Sequence, residues 1–334
     1  MKYQPPYTIT SKIIHLIAQI SENIGRLTVL EEIQDRLKLR KANRIRTIQG
    51  SLAIEGNTLS TEQITAILNG KTVIAPPKEV QEVRNAIKAY EAFQQWQPSQ
   101  EKDLLQAHQI LMTGLIDEVG QYRHGGVGVM SGDRVVHMAP PANQVPRLMI
   151  DLLEWLNDSE EHPLIQSSVF HYEFEFVHPF ADGNGRMGRL WQTLILSRWN
   201  PIFANIPVES LIYQNQKAYY EALQASTGRT DSAPFIEFIL QMILDAILSS
   251  TDTAQDSDHV TAQVNVQVSD QVQRLISAMK LEDYTLAELM QLVGLNHRAT
   301  FQKNYLNPAI EADLIERTIP DKPKSPKQRY RLKS

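Results

Sequence analysis

Cysteine is absent from all 334 residues. Its absence removes thiol nucleophiles, thiolate metal sites and disulfides, and it fits a cytoplasmic, reducing setting. Excess positive charge is missing as well. At a net −5 the chain is unsuited to holding nucleic acid by bulk attraction, which leaves only a local basic patch for that role. The first residues, "MKYQPPYTIT", contain no apolar core of the kind a signal peptide needs. The greasiest stretch, "FIEFILQMILDAIL" over Phe235–Leu248, is short for a membrane span and carries Glu237 and Asp245. It is expected to be a buried core helix, with no membrane contact. The GxxxxGK[ST] phosphate loop is missing. His137, His171 and His178 show no regular ligand spacing, so they are expected in the core or at the surface and not around a metal. What is present, 42% hydrophobic and 21% charged residues, is ordinary for a soluble globular protein long enough for two or three domains.

Helical periodicity dominates. Ile13, Ile14, Ile17, Ile20 and Ile24 mark one apolar face, and Leu148, Leu152, Trp155 and Leu156 another. Ser60 with Gln63 has the spacing of a capping box, and Pro76 and Pro77 precede a helix expected over Glu79–Trp96. Gly125–Met138, "GGVGVMSGDRVVHM", reads instead as a short β-hairpin, with Val127 and Val129 before a Ser-Gly-Asp turn and Val135 and Val136 after it. From Ser249 to Asp270 the composition turns polar, which marks residues 251–269 as a linker, with Val264, Val266 and Val268 able to form at most an edge strand. Residues 270–334 then read as a compact unit: helices over Asp270–Met279 and Thr285–Val293, a turn at Gly294-Leu295, a helix over His297–Tyr305, and two strands in "LIERTI" and "RYRL". That order resembles a winged helix-turn-helix domain.

The densest chemical signal is His178–Arg189, "HPFADGNGRMGR". A glycine-rich turn opening a helix is an anion site, because free N–H groups and the positive dipole end point to one place. Arg186 and Arg189, three apart, share a face and can grip two phosphates. Asp182 is a hard oxygen ligand suited to phosphate-bound Mg²⁺, and His178 titrates near neutrality, as a general base should. A second stretch poses a question. "SLAIEGN", Ser51–Asn57, ends a helix on Glu55, where the backbone field disfavours a carboxylate by ~0.3–1 kcal/mol. Gly56 and Asn57 suit a left-handed cap. Glu55 is either a solvated acid at a frayed end or an acid with a cation waiting elsewhere in the fold.

The first segment resembles the Fic motif, H-P-F-x-[D/E]-G-N-G-R-x-x-R, at every specified position. "GQYRHGGVGV" through "VVHMAPP" resembles the family's flap, and "NQKAYYEAL" its adenine-side helix. The resemblance implies a mainly α fold, a Fic helical core with a β-hairpin flap, followed by the winged-helix tail of many bacterial members. The implied layout is an N-terminal helical region over 1–98, with an inhibitory helix at about 44–56, and a catalytic core over 99–250. The implied activity is transfer of AMP from ATP, with Mg²⁺, to a Ser, Thr or Tyr hydroxyl of a target protein and of the chain itself. By the same resemblance His178 is the base and Asp182 the metal ligand. Gly183, Asn184, Gly185 and Arg186 form the anion hole for the α- and β-phosphates, and Arg189 holds the γ-phosphate. Met187 and Gly188 contribute backbone, while Val129 and Tyr219 flank the nucleotide. Thr227 stands where some relatives carry an asparagine near the base. Glycine at 185, where phosphate-transferring members carry lysine, favours AMP transfer.

Ser51-x-x-x-Glu55-Gly56 resembles the inhibitory motif [S/T]-x-x-x-E-[G/N]. In such relatives the glutamate pairs with the second motif arginine, here Arg189, and a charge-assisted bidentate bond worth ~1.5–3 kcal/mol outweighs the helix-end penalty. The acceptor is expected to dock on the flap, residues 125–138, as an added strand. Two further readings remain. Glu55 could orient a water that removes AMP from a modified protein. Alternatively the chain could be a DNA-binding regulator whose Fic domain only senses nucleotide, its tail, with seven Lys/Arg and one acid between Arg317 and Ser334, holding DNA through that basic wing and His297, Arg298, Gln302 and Lys303. Contact with a target or a second copy as a homodimer ranks ahead of DNA.

Overall fold

In the computed structural model the chain forms two units, residues 1–254 and 255–334. The structure describes residues 2–31, 36–131 and 134–255, and in the second unit 272, 275–276, 278–279, 282–295, 298–311, 314–318 and 328–332.

The first unit is helical: α1 (Ser11–Glu31), α2 (Arg36–Ile54), α3 (Thr61–Leu68), α4 (Pro77–Ala92), α5 (Glu101–Met112), the hairpin β1 (Gly128–Ser131) and β2 (Arg134–Met138), then α6 (Val145–Asp158), α7 (Pro163–Val177), α8 (Asn184–Trp199), α9 (Val208–Gln214), α10 (Gln216–Arg229) and α11 (Ala233–Gln255). Sequence signals set several ends. Ser60 and Gln63 close the capping box of α3 in both directions. Pro77 opens α4, which stops at Ala92, and Phe93–Gln95 tighten into a 3₁₀ turn, so the helix is shorter than the expected Glu79–Trp96. On α1, Ile13, Ile20 and Ile24 are buried, but Ile14 is 60% exposed and stands off the apolar face.

Two central helices carry the site. Ile165, Val169, Phe170, Phe174 and Val177 of α7 are buried together with Leu190, Trp191 and Leu194 of α8. Polar residues are buried on α7 as well, including His171 and Glu175, so the helix is covered on every face. α11 runs through this core. It holds an 18-residue stretch, Ala233–Ser250, long and apolar enough to cross a membrane. Phe235, Ile236, Ile239, Leu240, Ile243 and Ile247 are each fully buried in the unit's own core. Packing, not the shortness expected from the sequence, is what marks it as a core helix. It also continues to Gln255, so the first residues of the expected linker are helical; 256–269, with the three alternating valines, lie outside the described residues.

α2 is drawn close to α9 by Gly50. A Cβ there would meet the backbone nitrogen of Ser210 at 2.6 Å and the carbonyl carbon of Glu209 at 2.7 Å. Glycine inside a helix costs ~1 kcal/mol against alanine, and here it lets two backbones touch. Further bonds fix the end of α2: Ser210 Oγ donates to the Arg46 carbonyl at 2.9 Å, and Gln216 Nε2 to the Ile54 carbonyl at 2.8 Å.

The second unit has α12 (Leu286–Leu292), capped by Thr285 and Glu288, then α13 (Arg298–Phe301), a π turn and α14 (Asn307–Glu311). The strands β3 (Ile315–Arg317) and β4 (Tyr330–Leu332) pair antiparallel. Gly294, at φ +71°, makes the expected turn after α12. Val272, Leu275, Leu289, Phe301, Leu306 and Ile315 form its own core. His297 and half of the expected Asp270–Met279 helix lie outside the described residues.

Candidate active site

The expected motif residues meet where α7 ends and α8 begins. His178 caps α7 in the left-handed region at φ +50° and ψ +61°, with its N–H on the Phe174 carbonyl at 2.9 Å. A non-glycine residue held there is strained by ~1–2 kcal/mol, so the surroundings must fix it. They do so through Arg123, which is 2% exposed. Its Nε donates to the His178 carbonyl at 2.7 Å, and its other nitrogens donate to the carbonyls of Gly125, Pro140 and Val177 at 2.8, 2.6 and 3.3 Å. One side chain thereby ties both feet of the β1–β2 hairpin to the motif loop. The His178 ring lies with Nδ1 3.3 Å from the Glu175 carbonyl oxygen. A carbonyl can only accept, so Nδ1 carries the hydrogen and Nε2 is the nitrogen that can take a proton.

The loop that follows is locked from inside. Phe180 is fully buried and stacks on His108 at 3.7 Å between ring centres. His108 Nδ1 accepts the Gly120 N–H at 3.0 Å, which leaves Nε2–H to donate to the Asp182 carbonyl at 3.0 Å. Burial pushes His108 down to about 4, so it stays neutral in this role. Asn184 accepts the Phe180 N–H at 2.8 Å and donates to the Phe180 carbonyl at 2.9 Å, which commits its side chain to the loop and leaves only its backbone for an anion. Gly183 precedes α8 at φ +84°, against Met112. Met187 N–H closes the first turn on the Gly183 carbonyl, so the amides of residues 184–186 precede the first helical bond and are donors for an anion.

Asp182 is 49% exposed at its side chain, and its Oδ1 takes both the Gly183 N–H and Arg186 Nη2 at 3.3 Å. Among the described residues no group of three or more candidate ligands gathers around a metal position. A half-exposed carboxylate beside an anion site still fits Mg²⁺ of the phosphate-borne kind, which takes one or two protein carboxylates and keeps its waters. Arg186 is aimed between Asp182 and Glu82, whose Oε1 lies 3.3 Å from Nη1.

Arg189 is 2% exposed and held by the end of α2 through Nε and Nη2. Nε donates to Ser51 Oγ at 3.1 Å, and Nη2 donates to the Ser51 carbonyl at 3.0 Å and to Glu55 Oε1 at 2.7 Å. The expected bidentate Glu55–Arg189 pair is therefore a single contact, and Ser51 supplies the rest. Glu55 follows the last residue of α2, and Gly56 turns left-handed at φ +89°. Gly185 makes room for the pair: a Cβ there would overlap Glu55 Oε1 and lie 2.9 Å from Arg189 Nη1. Burial alone would push Arg189 down, but Glu55, Tyr219 and Glu175 around it hold it above its ordinary value.

One expected residue is buried. Tyr219 is 2% exposed and donates to His171 Nε2 at 3.2 Å, so its ring is closed off from solvent while lying within electrostatic reach of Arg189. The next residue, Tyr220, is half-buried, and both tyrosines lie within electrostatic reach of Glu55 and Arg189; α10 turns its Tyr219 face onto Phe235 and Phe238. Val129 sits on β1 opposite His137 of β2. Met187 is fully buried, and Gly188 packs against His171 and Glu175. Thr227 Oγ1 donates to the Leu223 carbonyl and meets the Tyr172 hydroxyl at 3.2 Å. Sequence reasoning missed Arg123, His108 and Glu82, which lie outside the motif; the Arg within "GQYR" is the one signal that could have found the first.

Comparison with known proteins bears on this arrangement. Residues 98–196 match the Fic/DOC family, and residues 270–333 match the C-terminal domain of filamentation-induced-by-cAMP protein Fic-like chains. The crystal structure of a Fic family protein from Desulfovibrio desulfuricans G20 is 55% identical, covers 99% of each chain and superposes with a TM-score of 0.74. Fic-1 from C. elegans, at 23% identity and TM-score 0.58 over 74% of this chain and 72% of its own, shares the fold. Proteins named protein adenylyltransferase Fic from Aedes aegypti and Nematostella vectensis are 29% and 31% identical over 66% and 58% of the chain. The chain spans about half the length of these curated relatives, 47% and 45%.

Proposed function

The chain belongs to the Fic family, and we propose from that premise that it is a protein adenylyltransferase held inactive by the end of its own α2. A protein hydroxyl attacks the α-phosphorus of ATP, the bond to the β-phosphate oxygen breaks, and pyrophosphate leaves. His178 Nε2 takes the hydroxyl proton. The amides of residues 184–186 and the Arg186 guanidinium hold the α- and β-phosphates, and Arg189 holds the γ-phosphate. Asp182 would hold Mg²⁺, which when bound offsets phosphate charge. The acceptor segment lies along β1 and β2, whose feet Arg123 fixes to the catalytic loop.

The observation that carries this reading is the occupied Arg189. All its recorded bonds go to Ser51 and Glu55, directly behind a full HPFxDGNGRxxR motif. Incubation of the folded Glu55→Gly chain with ATP labelled on the α-phosphate should place label on protein, on the chain itself or on an added lysate. The wild type should show far less. No labelled protein with the folded variant refutes the reading, and release of AMP from a modified protein by the wild type would put Glu55 to the reverse use.

A further inference from the structure

Behind His178, on the inner side of its ring, lies a carboxylate for which the reaction above has no use. Glu175, one turn earlier on α7, is 8% exposed. Its Oε2 is 3.8 Å from His178 Nδ1, the edge that its own backbone carbonyl already holds. Its Oε1 is 3.8 Å from His171 Nε2 and is buried with no hydrogen-bond partner.

The neighbouring histidine explains that orphan oxygen. His171 Nδ1 is 2.7 Å from Gln192 Oε1, which can only accept, so Nδ1 carries the hydrogen. Nε2 is then a lone pair that accepts from the Tyr219 hydroxyl, and it has nothing to offer Glu175. Burial pushes His171 down to about 3, so it does not become a cation. The groups facing Glu175 are thus His171 on α7 and His178 at its end, Arg189 on α8, Tyr219 and Tyr220 on α10 and Glu55 after α2. Arg189 is already engaged by Ser51 and Glu55. Among the described residues, the remaining group able to gain a positive charge beside Glu175 is His178.

We propose that Glu175 is a positioning residue for His178: its carboxylate holds the ring by the Nδ1 edge and stabilises the imidazolium formed when Nε2 takes the acceptor's proton. This rests on His178 being the base. The place is reserved for it, since a Cβ at Gly188 would lie 3.0 Å from Glu175 Oε1 and 2.9 Å from His171 Cδ2. Burial pushes the Glu175 carboxyl up to about 7, against the pull of Arg189. A positive charge formed on His178, 3.8 Å away, favours the carboxyl's ionised form. Because the backbone carbonyl already fixes the tautomer, loss of the carboxylate weakens the base without abolishing it.

The test is Glu175→Gln in the full chain, with two readouts. The His178 ring signal, followed by NMR against pH without nucleotide, should titrate with a midpoint lower by about one pH unit than in the wild type. In the Glu55→Gly background the same change should lower kcat about tenfold to a hundredfold with the KM for ATP unmoved. Glu175→Asp keeps the charge but withdraws it by one methylene, so its midpoint should fall between the two; it carries the test if the glutamine variant folds poorly. An unmoved midpoint in either folded variant overturns the proposal, as does an unchanged kcat. Transfer that survives in His178→Ala would remove the base assignment, and this inference with it.

Discussion

Replacing Glu55 by glycine removes one of three hydrogen bonds that tie the Arg189 guanidinium to the end of α2. The lost bond is charge-assisted, a kind worth ~1.5–3 kcal/mol. Arg189 is 1% exposed at its side chain but Glu55 is 32% exposed, and solvent at the glutamate end screens the pair. The lower part of the range, ~1.5–2 kcal/mol, is therefore the appropriate figure. At 1.4 kcal/mol per factor of ten, that is about a 10- to 30-fold gain in productive γ-phosphate occupancy. The gain is capped because both Ser51 bonds remain. Ser51→Ala removes only the Oγ acceptor and leaves the carbonyl, so it should raise transfer ~2- to 5-fold. Glu55→Asp draws the carboxylate back from Nη2 and should give part of the glycine effect. The assay is labelled AMP incorporation at sub-saturating ATP for the single variants and for Glu55→Gly/Arg189→Ala. The double variant should lose the gain, because the arginine is its route. A looser helix end acting alone would shift the melting temperature and leave incorporation unchanged. Unchanged or lower incorporation in folded Glu55→Gly refutes the reasoning.

His178→Ala should abolish transfer while ATP affinity, measured calorimetrically, stays within a few-fold, since in the proposed reaction the ring acts on the acceptor. Arg123→Ala strips the hairpin feet and the His178 carbonyl of their shared donor; acceptor KM should rise and kcat fall, with unchanged kinetics refuting the clamp. Gly50→Ala forces a Cβ into the backbone at Glu209–Ser210, so it should cost ~1–3 kcal/mol in urea unfolding and raise transfer as α2 draws away from Arg189. Burial pushes the Glu209 carboxyl up to about 7, against the pull of its own backbone and of Thr193. Because the folded chain keeps this proton above the ordinary 4.5, stability falls as pH rises between those values. Glu209→Gln should flatten that fall, and an equal slope in wild type and variant would refute it.

Some of this was determined by the chain read alone. The capping box at Ser60, the left-handed glycine after Glu55, the loop-to-helix run from His178 to Arg189 and the short hairpin are local events, settled by the backbone preferences of a few adjacent residues. A dense motif also names its own chemistry, because the anion site is made by consecutive amides of one turn. Tertiary structure decided what depends on meeting across the chain. Ser51 and Glu55 are 138 and 134 positions from Arg189. Only the close packing of α2 on α9, through Gly50, settles that the guanidinium is shared between a hydroxyl, a carbonyl and one carboxylate oxygen. His108 and Glu82 carry no local pattern, and Arg123 none beyond its place in "GQYR", since side chains whose partners lie far along the chain leave no spacing to read. Tyr219 and Tyr220 differ by one position and by 100° around α10. Which of them is buried depends on how the helix is rolled against Phe235 and Phe238, and packing fixes that roll where periodicity cannot.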